Sequence, residues 1–207
     1  MIKVIKKAVD PIDANSYTVF DTETKNCLII DFGADFSKLM SVAESLKLNV
    51  CGALLTHGHF DHAMSGYLAK GYGVKVYVPE GDEKMLYSDD NLAKKFGISA
   101  PFYKADEVLR EGKTQIGRID IDVISTPGHT EGSGCFIIGD KLFTGDTLFY
   151  GSYGNTSFPG GSFEKIKDSI KNKLFTLERN YEVFPGHGEN TFLDYERKNN
   201  YINYDNH

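Results

Sequence analysis

The chain has 207 residues, of which 23 are Lys or Arg and 29 are Asp or Glu, so its formal net charge at pH 7 is −6. This length suits one domain with a substantial core that needs no disulfides or structural metal. Charges of both signs are interspersed without a basic block, which argues against a nucleic-acid-binding surface. No apolar run approaches the length of a membrane span, and no signal-peptide core follows the basic first residues, so we expect a cytoplasmic protein.

The first half of the chain reads as a strand meander followed by alternating helices and strands. β-Branched and apolar runs between turn residues predict strands at residues 2–8, 16–20, 27–31 and 74–78, and a further strand that ends at His57. Helical spacing of apolar residues predicts a helix over 35–46, and shorter helices are expected over 63–70 and 80–87.

The middle of the chain, residues 88–117, is charged and predicted to be irregular, with a weakly helical stretch at 91–96 and a solvated run at 104–111. The second half resumes with strands at 118–125, 135–139 and 141–144 and a helix over 163–177. Because the sequence contains no repeat and no low-complexity linker, we predict that residues 1–207 form a single domain.

Residues 56–62, with the sequence THGHFDH, place three imidazoles and a carboxylate directly after an apolar run. Neutral imidazole is the commonest ligand of zinc-type ions, and catalytic sites add carboxylates while they keep a position open. The segment therefore predicts a metal site with His57, His59, Asp61 and His62 as candidate ligands.

The other candidate ligands occupy similar positions at strand ends. His129 and His187 each follow a Pro-Gly turn after an apolar run, and Asp146 lies in a Gly-Asp-Thr turn after the strand at 141–144. A lone histidine beside a turn is more often a structural group than a ligand. A set of strand-end turns with seven candidate ligands instead indicates one shared centre. His207, at the terminus, is not counted as a ligand.

The three cysteines, Cys27, Cys51 and Cys135, form no Cys-x-x-Cys pair and lie in apolar strand-like segments. We interpret them as small buried hydrophobic residues of a protein from a reducing compartment.

Residues 148–162 connect Asp146 to the predicted helix and are rich in glycine and aromatic residues. A loop so placed either lines a substrate pocket or serves as a plain connection that uses glycine for its turns, and both interpretations stay open. Ser162 has the position of an ordinary helix N-cap.

These motifs, at residues 56–62, 126–130, 145–149 and 185–188, resemble those of the metallo-β-lactamase superfamily, and most of all its short glyoxalase II-like hydrolases. The similarity extends from about residue 15 to about residue 187. It implies an α/β fold, a four-layer αββα sandwich in which two mixed β-sheets are flanked by helices and the metals lie at one edge. The chain ends about twenty residues after His187, which implies that it lacks the C-terminal glutathione-binding helical domain of longer members.

The resemblance also implies a set of metal ligands. Carried over position by position, the first metal would be held by His57, His59 and His129, the second by Asp61, His62 and His187, and both would be bridged by Asp146. The expected cofactor is a pair of divalent metal ions, with zinc as the default and iron or manganese also suited to these ligand types.

A binuclear site of this kind implies a hydrolase in which a metal-bridging hydroxide cleaves a thioester or related ester. Asp61 is the candidate catalytic residue, because it could accept a proton from the bridging water. The expected partner is a small-molecule thioester or ester, with no nucleic acid and no membrane.

The motifs indicate the type of reaction more narrowly than they indicate the substrate. Glutathione-binding glyoxalase II enzymes carry a lysine and a tyrosine in the loop after the bridging aspartate, and Asn155 and Ser157 stand at the matching positions. This departure argues against a lactoylglutathione specialist. Together with Tyr150, these two residues are the candidate substrate contacts.

The amino acids at two positions distinguish this chain from other subfamilies. His59 differs from the glutamate of the flavodiiron group, and Asp146 is the bridging carboxylate that zinc β-lactamases lack. A mononuclear iron persulfide dioxygenase-like enzyme of the same superfamily stays open as an alternative, since His57, His129 and Asp146 would suit a two-histidine, one-carboxylate iron site. A non-catalytic metal-binding module is the remote alternative.

Overall fold

Two six-stranded mixed β-sheets form the centre of the computed structural model, which describes residues 1–9, 13–33 and 35–204. The first sheet contains, in spatial and chain order, β1 (Ile2–Val9), β2 (Ala14–Asp21), β3 (Asn26–Ile30), β4 (Asn49–Leu54), β5 (Val76–Pro79) and β6 (Glu107–Leu109). The pairs from β1 to β3 are antiparallel, and those from β3 to β6 are parallel. His207 lies outside the described residues.

The second sheet contains β7 (Gly112–Ile116), β8 (Ile119–Ser125), β9 (Gly134–Ile138), β10 (Lys141–Gly145), β13 (Glu182–Pro185) and β14 (Thr191–Phe192). Its spatial order is β14-β13-β10-β9-β8-β7, and β10 and β13 are its parallel pair. A separate hairpin of β11 (Leu148–Phe149) and β12 (Ser152–Tyr153) follows the second sheet's β10.

Helices cover the outer faces of both sheets. The α-helices are α1 (Phe36–Ser45), α2 (Phe60–Ala63), α3 (Phe163–Asp168) and α4 (Leu193–Asn199). Short 3₁₀ segments span Gly66–Tyr72, Glu83–Tyr87, Asp89–Asn91, Ala93–Phe96 and Tyr201–Asn203, and α3 continues as a π-helical segment, Ser169–Leu174. Among the described residues, no helix is long and apolar enough to cross a membrane.

Three hydrophobic layers hold the sandwich together. The layer between the sheets is dominated by aromatic residues, with Tyr17 packed edge-on against Phe143 and Phe184. On one outer face α1 buries Phe36 and Leu39 against the first sheet, and on the other face the helical segment from residue 163 to residue 174 packs on the second sheet. The predicted four-layer αββα sandwich of two mixed sheets is confirmed. The single-domain assignment stays a prediction.

Local sequence signals place several element boundaries correctly. Helix α1 begins after Asp35, whose side chain accepts a hydrogen bond from the Lys38 N–H, and α3 begins after Ser162, which accepts one from the Lys165 N–H. The predicted strand at 27–31 and helix at 35–46 correspond to β3 and α1 within one residue at each end.

Other predictions need correction. The expected helix over 63–70 is a single α-helical turn followed by a 3₁₀ segment, and that over 80–87 is a 3₁₀ segment at Glu83–Tyr87. The run at 104–111, predicted to be solvated, contains β6, and the irregular middle also contains β7. Both are short, charged strands, so pairing with a neighbour, rather than sequence pattern, determines their conformation.

Candidate metal centre

The seven candidate ligands lie on loops that follow four strands. His57, His59, Asp61 and His62 follow β4, whereas His129 follows β8, Asp146 follows β10 and His187 follows β13. One sheet therefore contributes four candidate ligands, and the other contributes three. The two strand sets end at the same edge of the sandwich, so the loops meet there.

The side chains of these residues converge. Three overlapping groups have ligand atoms within 4.8 Å of one another: His57, His59 and His129; His57, His62 and Asp146; and Asp61, His62 and His187. Asp146 touches both halves of the cluster, with Oδ1 3.3 Å from His62 Nε2 and Oδ2 3.5 Å from both His129 Nε2 and His187 Nε2. The structure thus brings all seven candidates together.

Hydrogen bonds orient four of the five rings. His62 Nδ1 lies 2.9 Å from Asp31 Oδ2, which as a carboxylate can only accept, so Nδ1 carries the proton. His129 Nδ1 and His187 Nδ1 likewise face backbone carbonyl oxygens, of Asn155 at 2.7 Å and Asp13 at 3.0 Å. Each of these rings therefore keeps the Nε2 lone pair for the centre, as metal-binding histidines require.

The fourth ring is oriented through a hydroxyl. Thr56 Oγ1 donates to Asp31 Oδ2 at 2.8 Å, so its lone pair is free to accept from His57 Nδ1 at 3.1 Å. Asp31 also accepts a hydrogen bond from the Thr56 N–H at 2.8 Å. One buried carboxylate consequently fixes both His57 and His62.

Unsatisfied polar atoms test whether a metal fits. Among the described buried side chains, four atoms have no hydrogen-bond partner: His57 Nε2, His59 Nε2, Asp146 Oδ1 and Asn190 Oδ1. Buried polar atoms without partners are costly, and native proteins rarely keep them unless another ligand satisfies them. His57, His59 and Asp146 all belong to the clusters of imidazole and carboxylate groups that suit divalent cations. The donor set therefore fits the metal that the sequence predicts.

Burial and neighbouring charges shift the pKa values of these rings in opposite directions. Burial, with repulsion from neighbouring imidazoles, lowers the pKa of His57 well below its usual value and the pKa of His59 to about 3, so both rings are neutral. Burial acts in the same direction on His62, but the carboxylates of Asp146 and Asp61 outweigh it and raise its pKa. Without metal, a proton on His62 balances these carboxylates, and cation binding would replace it.

Two aspartates that support the cluster were not identified from the sequence. Asp31 fixes the two rings described above. Asp82 accepts hydrogen bonds from the N–H groups of Gly58 and Gly132 and from Thr130 Oγ1, each at 2.8 Å, and so joins the loops after β4 and β8. Both follow a strand end, as Asp146 does, and this shared position is the signal that could have found them.

Close backbone approach explains a glycine in the last motif. A Cβ on Gly186 would lie 2.1 Å from Asp146 Oδ1 and 2.8 Å from His62 Cε1. Only glycine leaves room for these two side chains at this turn.

A cavity of about 270 Å³ opens over the cluster. It is lined by His59, Phe60, Asp61, Leu92, Phe96, His129, Asp146, Phe149, Asn155, Phe158 and His187. Of the candidate substrate contacts, only Asn155 is in this lining, and its Oδ1 accepts a hydrogen bond from the Ser157 N–H. Tyr150 instead stacks on Tyr195, with ring centroids 5.3 Å apart. Substrate contact by these three residues stays a prediction.

A profile of the metallo-β-lactamase superfamily matches residues 9–187. The chain belongs to this superfamily. The match covers every loop that carries a candidate ligand, so the resemblance predicted from the four motifs is confirmed.

Relatives of this metallo-β-lactamase superfamily member include hydroxyacylglutathione hydrolase GloC of Haemophilus influenzae, which is 32% identical over 204 residues, 93% of each chain. Among solved structures, BLEG-1 B3 metallo-β-lactamase is 30% identical with a TM-score of 0.90, over 98% of this chain and 99% of its own. TTHA1623 in a di-iron-bound form is also 30% identical, with a TM-score of 0.86 over 96% of this chain and 100% of its own. The superfamily and the cluster together indicate a metallo-hydrolase that binds divalent metal.

Proposed function

We propose that the protein is a binuclear metal-dependent hydrolase of thioesters or related esters, similar to glyoxalase II. The observation that supports this proposal most strongly is the convergence of five imidazoles and two carboxylates beneath one cavity. The 32% identity to a hydroxyacylglutathione hydrolase supports the thioester class.

The proposed ligands divide into two sets that share one carboxylate. The first ion would be held by His57, His59 and His129, the second by Asp61, His62 and His187, and Asp146 would contact both. The position of Asp146, whose two oxygens approach rings of both sets at 3.3 to 3.5 Å, supports the shared role. Divalent cations supply Lewis acidity when bound, because they activate water near neutral pH and stabilise negative charge on a carbonyl oxygen.

Asp61 is the proposed proton acceptor. Its Oδ2 lies 3.3 Å from His187 Nε2, and its side chain is partly exposed at the cavity. A carboxylate that is both oriented and reachable can take the proton released when water attacks. His62 and His187 flank this oxygen and restrict the directions from which a proton can arrive.

Zinc is the proposed metal, with iron and manganese as the other ions that these ligand types accept. The di-iron form of TTHA1623 supports iron as a real competitor. We also propose a cytoplasmic location, which the three free cysteines support because they are typical of a reducing compartment.

Elemental analysis of protein purified without added metal, together with assays on S-lactoylglutathione and a neutral thioester, tests the proposal. We expect about two divalent ions per chain and thioester cleavage that Asp146→Ala abolishes along with binuclear binding. Two ions with no turnover on any thioester or ester would contradict the hydrolase and favour a non-catalytic metal-binding module.

A second candidate function is a mononuclear iron persulfide dioxygenase-like activity. It is favoured by the iron found in TTHA1623 and by the proximity of His57, His129 and Asp146, which provide two imidazoles and a carboxylate. One iron per chain, no thioester cleavage and oxygen uptake with glutathione persulfide would support this candidate and contradict the hydrolase.

A further inference from the structure

One side of the cavity is a continuous apolar surface, made by Phe60, Leu92, Phe96 and Phe158, which we call the apolar wall. The Phe96 ring bridges the other two phenyl rings, with centroids 5.7 Å from Phe60 and 6.3 Å from Phe158. Phe158 in turn lies edge-on to His59 at 5.8 Å. The wall therefore begins at a proposed metal ligand and extends away from it.

The exposure of these residues gives the wall a direction. Phe60 and Leu92 are 6% and 5% exposed, whereas Phe96 is 55% exposed. The wall thus runs from the protein interior to the mouth of the cavity. When an apolar group of a ligand covers an exposed phenyl ring, apolar surface is removed from water and the complex is stabilised.

The backbone at Leu92 is held in an unfavourable conformation. Its φ of +69° lies in the left-handed region, which a bulky non-glycine residue rarely adopts. Such strain persists only where the surroundings enforce it, and it concentrates at functional sites. Here it places Leu92, which packs in one hydrophobic cluster with Phe60, in the cavity lining between two 3₁₀ segments, Asp89–Asn91 and Ala93–Phe96.

The described lining of the cavity contains acidic side chains and no basic ones. Of the described residues in its lining, the acidic ones are the proposed ligands Asp61 and Asp146, and none is Lys or Arg. The nearby Lys95 places its Nζ 4.7 Å from the Phe158 centroid, where a cation–π contact holds it. The described lining residues thus offer no ammonium or guanidinium group of their own to the carboxylates of a tripeptide thiol, and the neighbouring Lys95 ammonium is engaged by the Phe158 ring.

We propose that the apolar wall is a subsite for the acyl group of the substrate, so that the enzyme prefers thioesters with apolar aliphatic or arylalkyl acyl groups. This inference rests on the proposed hydrolase function. Phe60 and Leu92 close the inner part of the wall. In thioester hydrolysis the water oxygen bonds to the acyl carbon and the C–S bond breaks, so the acyl carbon must lie beside the proposed ligands, where the wall begins. A cavity of about 270 Å³ suits a small acyl group.

The test uses thioesters of N-acetylcysteamine, a neutral thiol, with acetyl, butanoyl, hexanoyl and phenylacetyl groups, and the metal-loaded enzyme. We expect kcat/KM to rise by up to about fourfold for each methylene added from acetyl to hexanoyl. Phe96→Ala should lose most of this increase. Phe102→Ala is the matched control, because Phe102 is 56% exposed and lies outside the cavity lining.

A binding measurement separates the subsite from the chemistry. Calorimetric titration of metal-loaded protein with 2-octanone, an apolar ketone that cannot be hydrolysed, should give a dissociation constant that rises at least about fivefold in Phe96→Ala and not in Phe102→Ala. Thermal unfolding of each variant checks that it is folded.

The outcomes distinguish the two proposals. Failure of the loaded wild type to cleave any thioester, with binding still dependent on Phe96, would contradict the hydrolase and retain an apolar subsite. Cleavage with kcat/KM independent of acyl length, or sensitive to the thiol chain instead, would overturn the acyl subsite and leave the hydrolase standing.

Discussion

Asp82 lies outside the proposed ligand set but joins two of the loops that carry proposed ligands. It is 1% exposed and joins the backbone at Gly58, between two proposed ligands, to Thr130 and Gly132, which follow His129. Its carboxylate thereby holds together two loops that are distant in the sequence, since Gly58 and Thr130 are more than 70 residues apart.

We predict that Asp82→Asn weakens metal binding about 10- to 100-fold, as removal of partners behind metal ligands typically does. In asparagine an NH2 group replaces one carboxylate oxygen and cannot accept a hydrogen bond. At least one of the donors that face Asp82 would then be unsatisfied, which costs about 1–3 kcal/mol. Competition with a chromophoric chelator measures the affinity. Asp89→Asn, at an exposed carboxylate of the 3₁₀ segment Asp89–Asn91, is the control, and equal affinities in both variants would remove this role from Asp82.

The cysteines provide a second prediction at the residue scale. Burial raises the pKa of Cys27 to about 12 and that of Cys135 to about 11, whereas Cys51 is partly exposed. At pH 8 we expect a thiol reagent to modify one cysteine quickly in the native protein and three in denaturant, because reaction requires an accessible thiolate. Fast modification of Cys27 or Cys135 in the native protein would contradict the structure.

The same pKa shifts determine a dependence of stability on pH. A thiol whose folded pKa is raised keeps its proton in the native state, whereas the unfolded chain releases it from about pH 8.5 upward. The free energy of unfolding should therefore fall as the pH rises above this value. Urea titrations at pH 7.5 and pH 9.5 measure it, and Cys27→Ala combined with Cys135→Ala should reduce the difference.

At the scale of elements, α4 anchors the loop that follows Asp146. Glu196 in α4 is fully buried, and its carboxylate accepts hydrogen bonds from the Gly151 N–H at 2.9 Å, Thr191 Oγ1 at 2.7 Å and Asn200 Nδ2 at 2.6 Å. Asn200 Nδ2 also lies 2.9 Å from the Ser152 carbonyl oxygen. The C-terminal helix thus holds the β11–β12 hairpin beside the cavity.

Glu196→Ala should lower the free energy of unfolding by about 3 kcal/mol, because two buried donors and one part-buried donor lose their acceptor. We also expect a higher KM with a smaller change in kcat, since the loosened hairpin carries Phe149 of the cavity lining. Urea unfolding and steady-state kinetics measure the two effects. Glu178→Ala removes an exposed carboxylate and should change neither, and a Glu196→Ala protein as stable as this control would contradict the anchoring role.

At the scale of the whole molecule, the proposed ions would connect the two sheets. Four of the proposed ligands follow a strand of the first sheet and three follow strands of the second. Ligand binding to the native state alone stabilises it by about 2.7 kcal/mol per site when the free ion is at 100 times its dissociation constant.

Metal removal with a chelator should therefore lower Tm by about 5–10 °C for each site emptied, given a chain of this size. Differential scanning calorimetry measures the shift, which zinc should reverse and magnesium should not, because these ligands are rich in imidazole. A Tm that is unaffected by the chelator, in protein shown to have lost its metal, would contradict a structural coupling between the sheets.

Periodicity and turn residues in the sequence predicted the elements that carry their own local signals. The strand at 27–31 and the helix at 35–46 match β3 and α1, because alternation and helical spacing record which face is buried. The edge strand β6 and the helix α4 were not predicted. Val108 in β6 is exposed, and α4 has few buried residues, so tertiary contacts stabilise both.

The sequence by itself determined the chemistry and order of the candidate ligands and the superfamily, because strand-end turns bearing His or Asp are local features that can be read directly from the sequence. The structure decided which atoms meet. The roles of Asp31, Asp82 and Glu196, and the apolar wall that unites Phe60, Leu92, Phe96 and Phe158, depend on contacts between segments far apart in the chain. Such contacts arise only when the two sheets pack, because burial and hydrogen-bond partners are properties of the packed chain and leave no periodic pattern in the sequence.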